Sequence, residues 1–215
     1  MQFANYDDFR TRTIKLILSD DGAHSPDALS VDMADFIIAA GETRVYLGSE
    51  DGVTGLRAST MLADLSLTVA SNAVTLPADF LELKEIRFSG KRPLDIVPLD
   101  RLRTLEANAP QSGTTYYCAQ DGDTLRFWPE ASGTVLGRYY KRPADMATGT
   151  WATHTTVARY PELFIYAALA ESAPFMGDDT RLPAWKAKFG GLLASAKSAE
   201  QWRVYGGSPL RIRSR

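Results

Sequence analysis

Two histidines, one cysteine and a few close-set acidic pairs are the residues of this 215-residue chain best suited by type to do chemistry. A catalytic histidine needs a partner that orients it and a nucleophile or water that it serves. His24 in DGAHSPD and His154 in WATHTTV lie in loop-like surroundings, and neither belongs to a recognisable motif. Cys118 cannot form an internal disulfide or a thiolate cluster by itself, and the strand-like TTYYCAQ around it favours a reduced core residue over a nucleophile. Asp20-Asp21 and Asp178-Asp179 would hold a hard cation only with ligands from elsewhere, and they read as solvated helix ends. Asp121-Gly122-Asp123 is too short for a cation loop and sits where a hairpin turn is wanted. The chain has no glycine-rich stretch before a Lys-Ser or Lys-Thr pair and no G-x-S-x-G elbow. Two carboxylates for glycoside hydrolysis can be assembled from distant segments, but nothing here singles a pair out. The expectation is therefore no catalytic residue, no cofactor and no metal.

Aromatic residues offer a weaker chemistry. Arg138, Tyr139, Tyr140, Lys141 and Arg142 form a strip on which single-stranded nucleic acid could stack. Strand alternation would instead send Tyr139 and Lys141 to one face and Tyr140 to the other, which makes half the strip core. Trp128, Tyr139, Tyr140 and Trp151 are the residues that would serve as sugar platforms in a carbohydrate-binding or cell-wall-degrading module.

Composition narrows the field further. Hydrophobic residues make up 45% and charged residues 23%, the balance of an ordinary folded protein with one good-sized core or one body carrying a smaller module. A formal net charge of -2 and a pI near 5.7 argue against a dedicated nucleic-acid binder, which needs a dense basic face. The opening MQFANYDDF carries acids where a secretory signal carries positive charge. The longest apolar stretch, LFIYAALA, falls far short of the roughly 18 to 20 residues that span a bilayer. A soluble protein without membrane contact is expected.

The elements follow from periodicity. Residues 6–18 allow a helix capped at Asn5 or Tyr6-Asp7, and residues 30–47 a second one stopped by Gly48. From residue 65 the pattern shortens to LSLTV, NAVTL, LELKEIRF, RPLDIVPL, TTYYCAQ, DTLRFW and GTVLGRYYKRP, rich in β-branched and aromatic residues and separated by turn signals. A helical turn over 99–107 interrupts them. From Arg159 the helical period returns in RYPELFIYAALAESAPFMGDD, whose polar residues are few, and in PAWKAKFGGLLASAKSAEQWRVY. GGSPLRIRSR then alternates Leu210 and Ile212 with arginines and has no acid. The predicted class is α+β: a helical body in the form of an antiparallel helix bundle (1–64 and 152–204), an inserted small antiparallel β-sheet or sandwich (65–151) and an extended basic arm (205–215).

Four stretches in this order carry a family resemblance: MADFIIAAGETRVYLGS, TLPADFLELKEIRFSGKRPL, DTLRFWPEASGTVLGRYYKRPADM and ARYPELFIYAALAESAPFMGDDTRLPAWKAKF. The chain resembles the head-to-tail adaptor, or tail accessory, proteins of short-tailed bacteriophages over most of its length. The ending GETRVYLGS departs from the more acidic, arginine-rich look of that family.

The resemblance implies a structural virion protein rather than an enzyme. It would be made in the bacterial host cytoplasm and form a dodecameric ring beneath the portal. Such a ring extends the DNA channel, passes genomic DNA without sequence-specific binding and offers downstream tail or nozzle proteins a platform. A ring subunit must bury faces on its neighbours, which assigns Leu163, Phe164, Tyr166, Ala167, Ala170 and Phe175 to a subunit-interface helix. Related adaptors reach the portal with the carboxy-terminal region, which assigns Tyr205, Pro209, Leu210, Arg211, Ile212, Arg213 and Arg215 to a portal-binding arm.

Overall fold

The computed structural model describes residues 3–18, 30–48, 52–108, 113–129, 132–148, 150–176 and 180–205. Two compact units account for them, one built from residues 1–60 and 143–215 and the other from 61–142. Helices and strands are both well represented, so the fold class is α+β.

In the helical unit, α1 (Tyr6–Leu18) begins with a reciprocal cap. The Asp8 amide donates to the Asn5 side chain at 2.8 Å, and the Ala4 amide donates to the Asp8 carboxylate at 3.1 Å. The second helix, α2 (Val31–Leu47), is capped by Ser30, whose hydroxyl accepts the Met33 amide at 3.2 Å. It ends at Gly48, which adopts a φ of 101° while its amide reaches the Arg44 carbonyl. After the short α4 (Thr155–Arg159), Pro161 opens α5 (Pro161–Met176) in the first-turn position where its missing N–H costs nothing. Among the described residues the longest helix is α6 (Leu182–Tyr205).

The apolar surface of α5 is hidden by this chain's own helices. Both α2 and α6 pack on it, and α1 adds a further contact. Ala167 and Ala168 let α2 come so close that a Cβ on Gly41 would lie 2.6 Å from the Ala168 backbone nitrogen. Only glycine fits there. At the amino end of the helices, Tyr6 donates to Asp35 at 2.8 Å and Arg10 binds the same carboxylate at 3.3 Å. Burial, reinforced by Asp35, raises the Tyr6 hydroxyl pKa well above its ordinary value.

Among the described residues, the β unit holds seven strands. β1 (Leu62–Val69), β3 (Phe80–Phe88) and β7 (Gly133–Lys141) form one antiparallel sheet in the order β1-β7-β3. β2 (Ala73–Thr75), β4 (Asp95–Ile96), β5 (Tyr117–Asp121) and β6 (Thr124–Trp128) form a second sheet in the order β2-β6-β5-β4. Inward residues of both sheets meet in one apolar cluster that includes Leu65, Ile86, Phe88, Cys118, Phe127, Val135 and Tyr139. The outer face of the second sheet, through Ala119 and Trp128, is covered by Leu102 of α3 (Leu99–Asn108).

The structure departs from the sequence reading at three places. β4 pairs with β5 in parallel, Asp95 opposite Tyr117, so the second sheet is mixed. The reason is the crossover through α3, which returns the chain to start β5 in the direction of β4. Both boundaries of the β insertion move: residues 62–64, read as the end of the helical body, already belong to β1, and residues 143–151, read as part of the insertion, fall in the helical unit. Tyr205, read as the first residue of the arm, is the last of α6, while Pro209, Leu210, Arg211, Ile212, Arg213 and Arg215 lie outside the described residues.

Candidate subunit interface

Of the residues first considered for chemistry, those that are described serve structure. Cys118 is fully buried in the β unit, and burial pushes its thiol up to about 12. His154 is buried beside Trp151, its Nε2 lying 3.2 Å from the Thr148 carbonyl oxygen. Asp121-Gly122-Asp123 forms the β5–β6 turn, with Gly122 at a φ of 59°. His24, Asp20-Asp21 and Asp178-Asp179 lie outside the described residues. No group of three or more His, Cys, Asp or Glu side chains among the described residues is placed to hold a metal ion.

Two of the four proposed sugar platforms are closed by packing. Trp128 is buried under α3. Tyr139 is buried, stacks on Phe80 with ring centroids 5.6 Å apart, and donates its hydroxyl to Asp79 at 3.0 Å. A sugar needs an open ring face, so neither residue offers one. The same burial removes Tyr139 from any stacking strip, as strand alternation predicts.

An open apolar surface does exist on the helical unit. Phe36 of α2, 61% exposed, and Phe175 of α5, 42% exposed, meet edge to face with centroids 5.7 Å apart. Phe36 lines a groove of about 720 Å³ whose walls also include Ala39, Ala40 and Thr43 of α2, Ala173 and Pro174 of α5, and Leu182 and Lys186 of α6. Its floor is made rigid by charge: Arg44 pairs with Glu171, and the Arg44 guanidinium lies 5.4 Å from the centre of the Phe189 ring. Such a pair, mostly withdrawn from water, resists displacement because losing either partner leaves the other charge stranded.

Elsewhere in the helical unit, a buried carboxylate ties three segments together. Glu200 of α6 accepts the Ser59 amide at 2.7 Å, the Tyr160 hydroxyl at 2.7 Å and the Arg159 guanidinium at 3.1 Å. Burial works to raise its pKa, but the bonds from Tyr160, Ser59 and Arg159 outweigh that and hold it below the ordinary value. Burial and the nearby Glu200 charge push the Tyr160 hydroxyl up to about 12. A second buried acid, Glu42 of α2, accepts the Met146 amide at 3.1 Å.

Of the six residues assigned to an interface helix, Leu163, Phe164, Ala167 and Ala170 are buried inside the chain, Tyr166 is half-buried and Phe175 is open. Besides Phe175, the large apolar side chains most exposed on the helical unit are Trp202, Phe36, Val31 and Leu47, none of which the sequence reading assigned to an interface. A signal for one of them was present. Phe36, Ile37 and Ile38 are consecutive, and at about 100° per residue they cover far more than one core-facing stripe. One of the three had to face out.

No curated protein matches the chain. The model of the SU10 adaptor protein family, a phage head-tail adaptor family, matches residues 4–213, nearly the whole length. A match over that much of its length shows that the chain belongs to the SU10 adaptor protein family.

Proposed function

We propose that the protein forms a ring beneath the portal of a short-tailed phage, dodecameric as the resemblance implies, extending the DNA channel and seating the tail components below. The single observation that carries this reading beyond family membership is the open aromatic pair of Phe36 and Phe175, with Phe36 on the rim of the groove, which a solitary subunit has no reason to keep exposed. An overall charge of -2 suits a channel along which DNA slides rather than sticks.

In this reading the arm, with Leu210 and Ile212 alternating with Arg211 and Arg213, binds the portal by adding to a sheet edge or filling a groove while its arginines meet acidic side chains. Mixing the purified chain with the portal protein of the same genome, followed by native mass spectrometry and negative-stain microscopy, tests both points. A stoichiometric ring added to one end of the portal is expected. Removal of residues 209–215 should abolish that addition without lowering the melting temperature. A chain that stays monomeric and ignores the portal would overturn the ring, and unchanged portal binding by the truncated chain would overturn the role of the arm.

A further inference from the structure

The outer face of α6 carries a feature that packing within the chain does not explain. Ala184, Ala187, Lys188, Gly191, Ala194, Ser195, Ser198 and Trp202 recur at helical spacing, and all are exposed. The face runs about 27 Å at 1.5 Å per residue and bears one charge, Lys188. A solvated helix face normally carries several. Gly191, with Gly190 beside it, sits in mid-helix, where glycine weakens a helix, yet a Cβ at either position would meet nothing within 4 Å. The seam ends in Trp202, 73% exposed.

The outer face of α2 is its counterpart in size and charge. Asp32, Phe36, Ala39, Ala40, Thr43 and Leu47 share one face, and its middle part, Phe36, Ala39, Ala40 and Thr43, forms a wall of the groove. Set parallel with a constant offset of 155 residues, the two faces match along their length. Phe36 falls on Gly191, Ala40 on Ser195, Thr43 on Ser198 and Leu47 on Trp202, while Asp32 falls on Ala187, beside Lys188. The largest exposed side chain of α2 thus meets the residue with no side chain, and the opposite charges meet at one end.

The geometry points to α6 of a second copy of this chain as the occupant of the groove, packed parallel to α2 with Phe36 seated over Gly191. The inference rests on the ring reading and names its surfaces. Because two different faces of the subunit meet, the contact is heterologous, and repetition generates a closed ring when the rotation closes.

Disulfide trapping reads the contact directly. Thr43→Cys combined with Ser198→Cys should yield, on oxidation, a ladder of covalently linked chains in a denaturing gel, with neither single substitution doing so, since Cys118 is buried. Gly191→Leu should cut the ring fraction in native mass spectrometry at least tenfold while leaving the melting temperature equal to or above that of the wild type. Asp32→Lys and Lys188→Asp should each weaken assembly, and the two together should restore it. A wild-type chain that forms the ring while the double-cysteine variant gives no ladder and Gly191→Leu is tolerated would overturn this pairing and leave the adaptor reading standing. Failure of the wild-type chain to form any ring, alone or on the portal, would overturn both.

Discussion

The two units of this chain solve the problem of burial in opposite ways. Among the described residues, the β unit buries an almost wholly apolar interior, with Thr115 the one buried polar residue on its side of the division. Glu42, His154, Ser172 and Glu200 are buried in the helical unit. Large exposed apolar side chains are divided just as unevenly: Leu16, Val31, Phe36, Leu47, Val53, Phe175 and Trp202 on the helical unit against Ile96 and Tyr116 on the β unit. A unit that satisfies its apolar surface internally needs little to fix its arrangement beyond shape. One that keeps apolar surface outside needs buried polar bonds, each with a demanding geometry, to hold its helices in a single alignment while that surface waits for a partner.

The sharpest attack on this difference is at the closest helix contact. Gly41→Val would drive a Cβ to 2.6 Å from backbone that cannot yield as a side chain would. We expect a loss of about 4 kcal/mol or more in chemical denaturation, enough to separate α2 from α5. A tolerated valine would mean the helical unit is held by its polar bonds alone.

The matching change in the β unit is Phe127→Ala. Phe127 is buried in the shared core of the two sheets, against Phe88 at a centroid distance of 5.5 Å. Its truncation should cost about 3–4 kcal/mol, and the loss should be independent of pH between 4 and 8, since the titratable members of that cluster, Cys118 and Tyr139, are both pushed up to about 12 by burial. A strong pH dependence would show that the β unit also leans on buried charge.

These contrasts were only partly legible beforehand. Period-two runs placed the strands of the β unit, and Asn5, Gly48 and Pro161 marked helix ends, because these signals are local. The contact of Gly41 with Ala168 joins residues far apart in sequence, and the Glu200 network joins four residues from three separate segments. No local pattern encodes either. The apolar richness of α5 announced that something must cover it, but hydrophobicity does not say whether the cover is the same chain or another. The chain covers Leu163, Phe164, Ala167 and Ala170 itself, and the unsatisfied surface was displaced to Phe36, Leu47 and Trp202.

Glu200 gives a smaller effect with a distinctive signature. Glu200→Gln keeps the shape but loses the charge that meets Arg159, and should cost about 2 kcal/mol at neutral pH, or roughly 4–8 °C in melting temperature. Because the folded-state pKa of Glu200 is lowered from 4.5, its contribution is present above pH 4.5 and is lost as the pH falls through the lower folded value. The gap between wild type and variant should therefore be flat near neutrality and close in acid. A gap that stays constant down to pH 3 would show that packing, not charge, carries the network.

The smallest effect on stability should accompany the largest effect on assembly. Trp202 is 73% exposed, so Trp202→Ser removes little buried surface and should change stability by no more than about 0.5 kcal/mol, within 2 °C in a melting curve. If the open aromatics of the helical unit are a contact surface, the same substitution should reduce ring formation severely, since buried tryptophans dominate protein interfaces. A variant that melts early would place Trp202 in the fold of its own chain. One that assembles normally would make its exposure incidental and confine the contact surface to the groove beside Phe36.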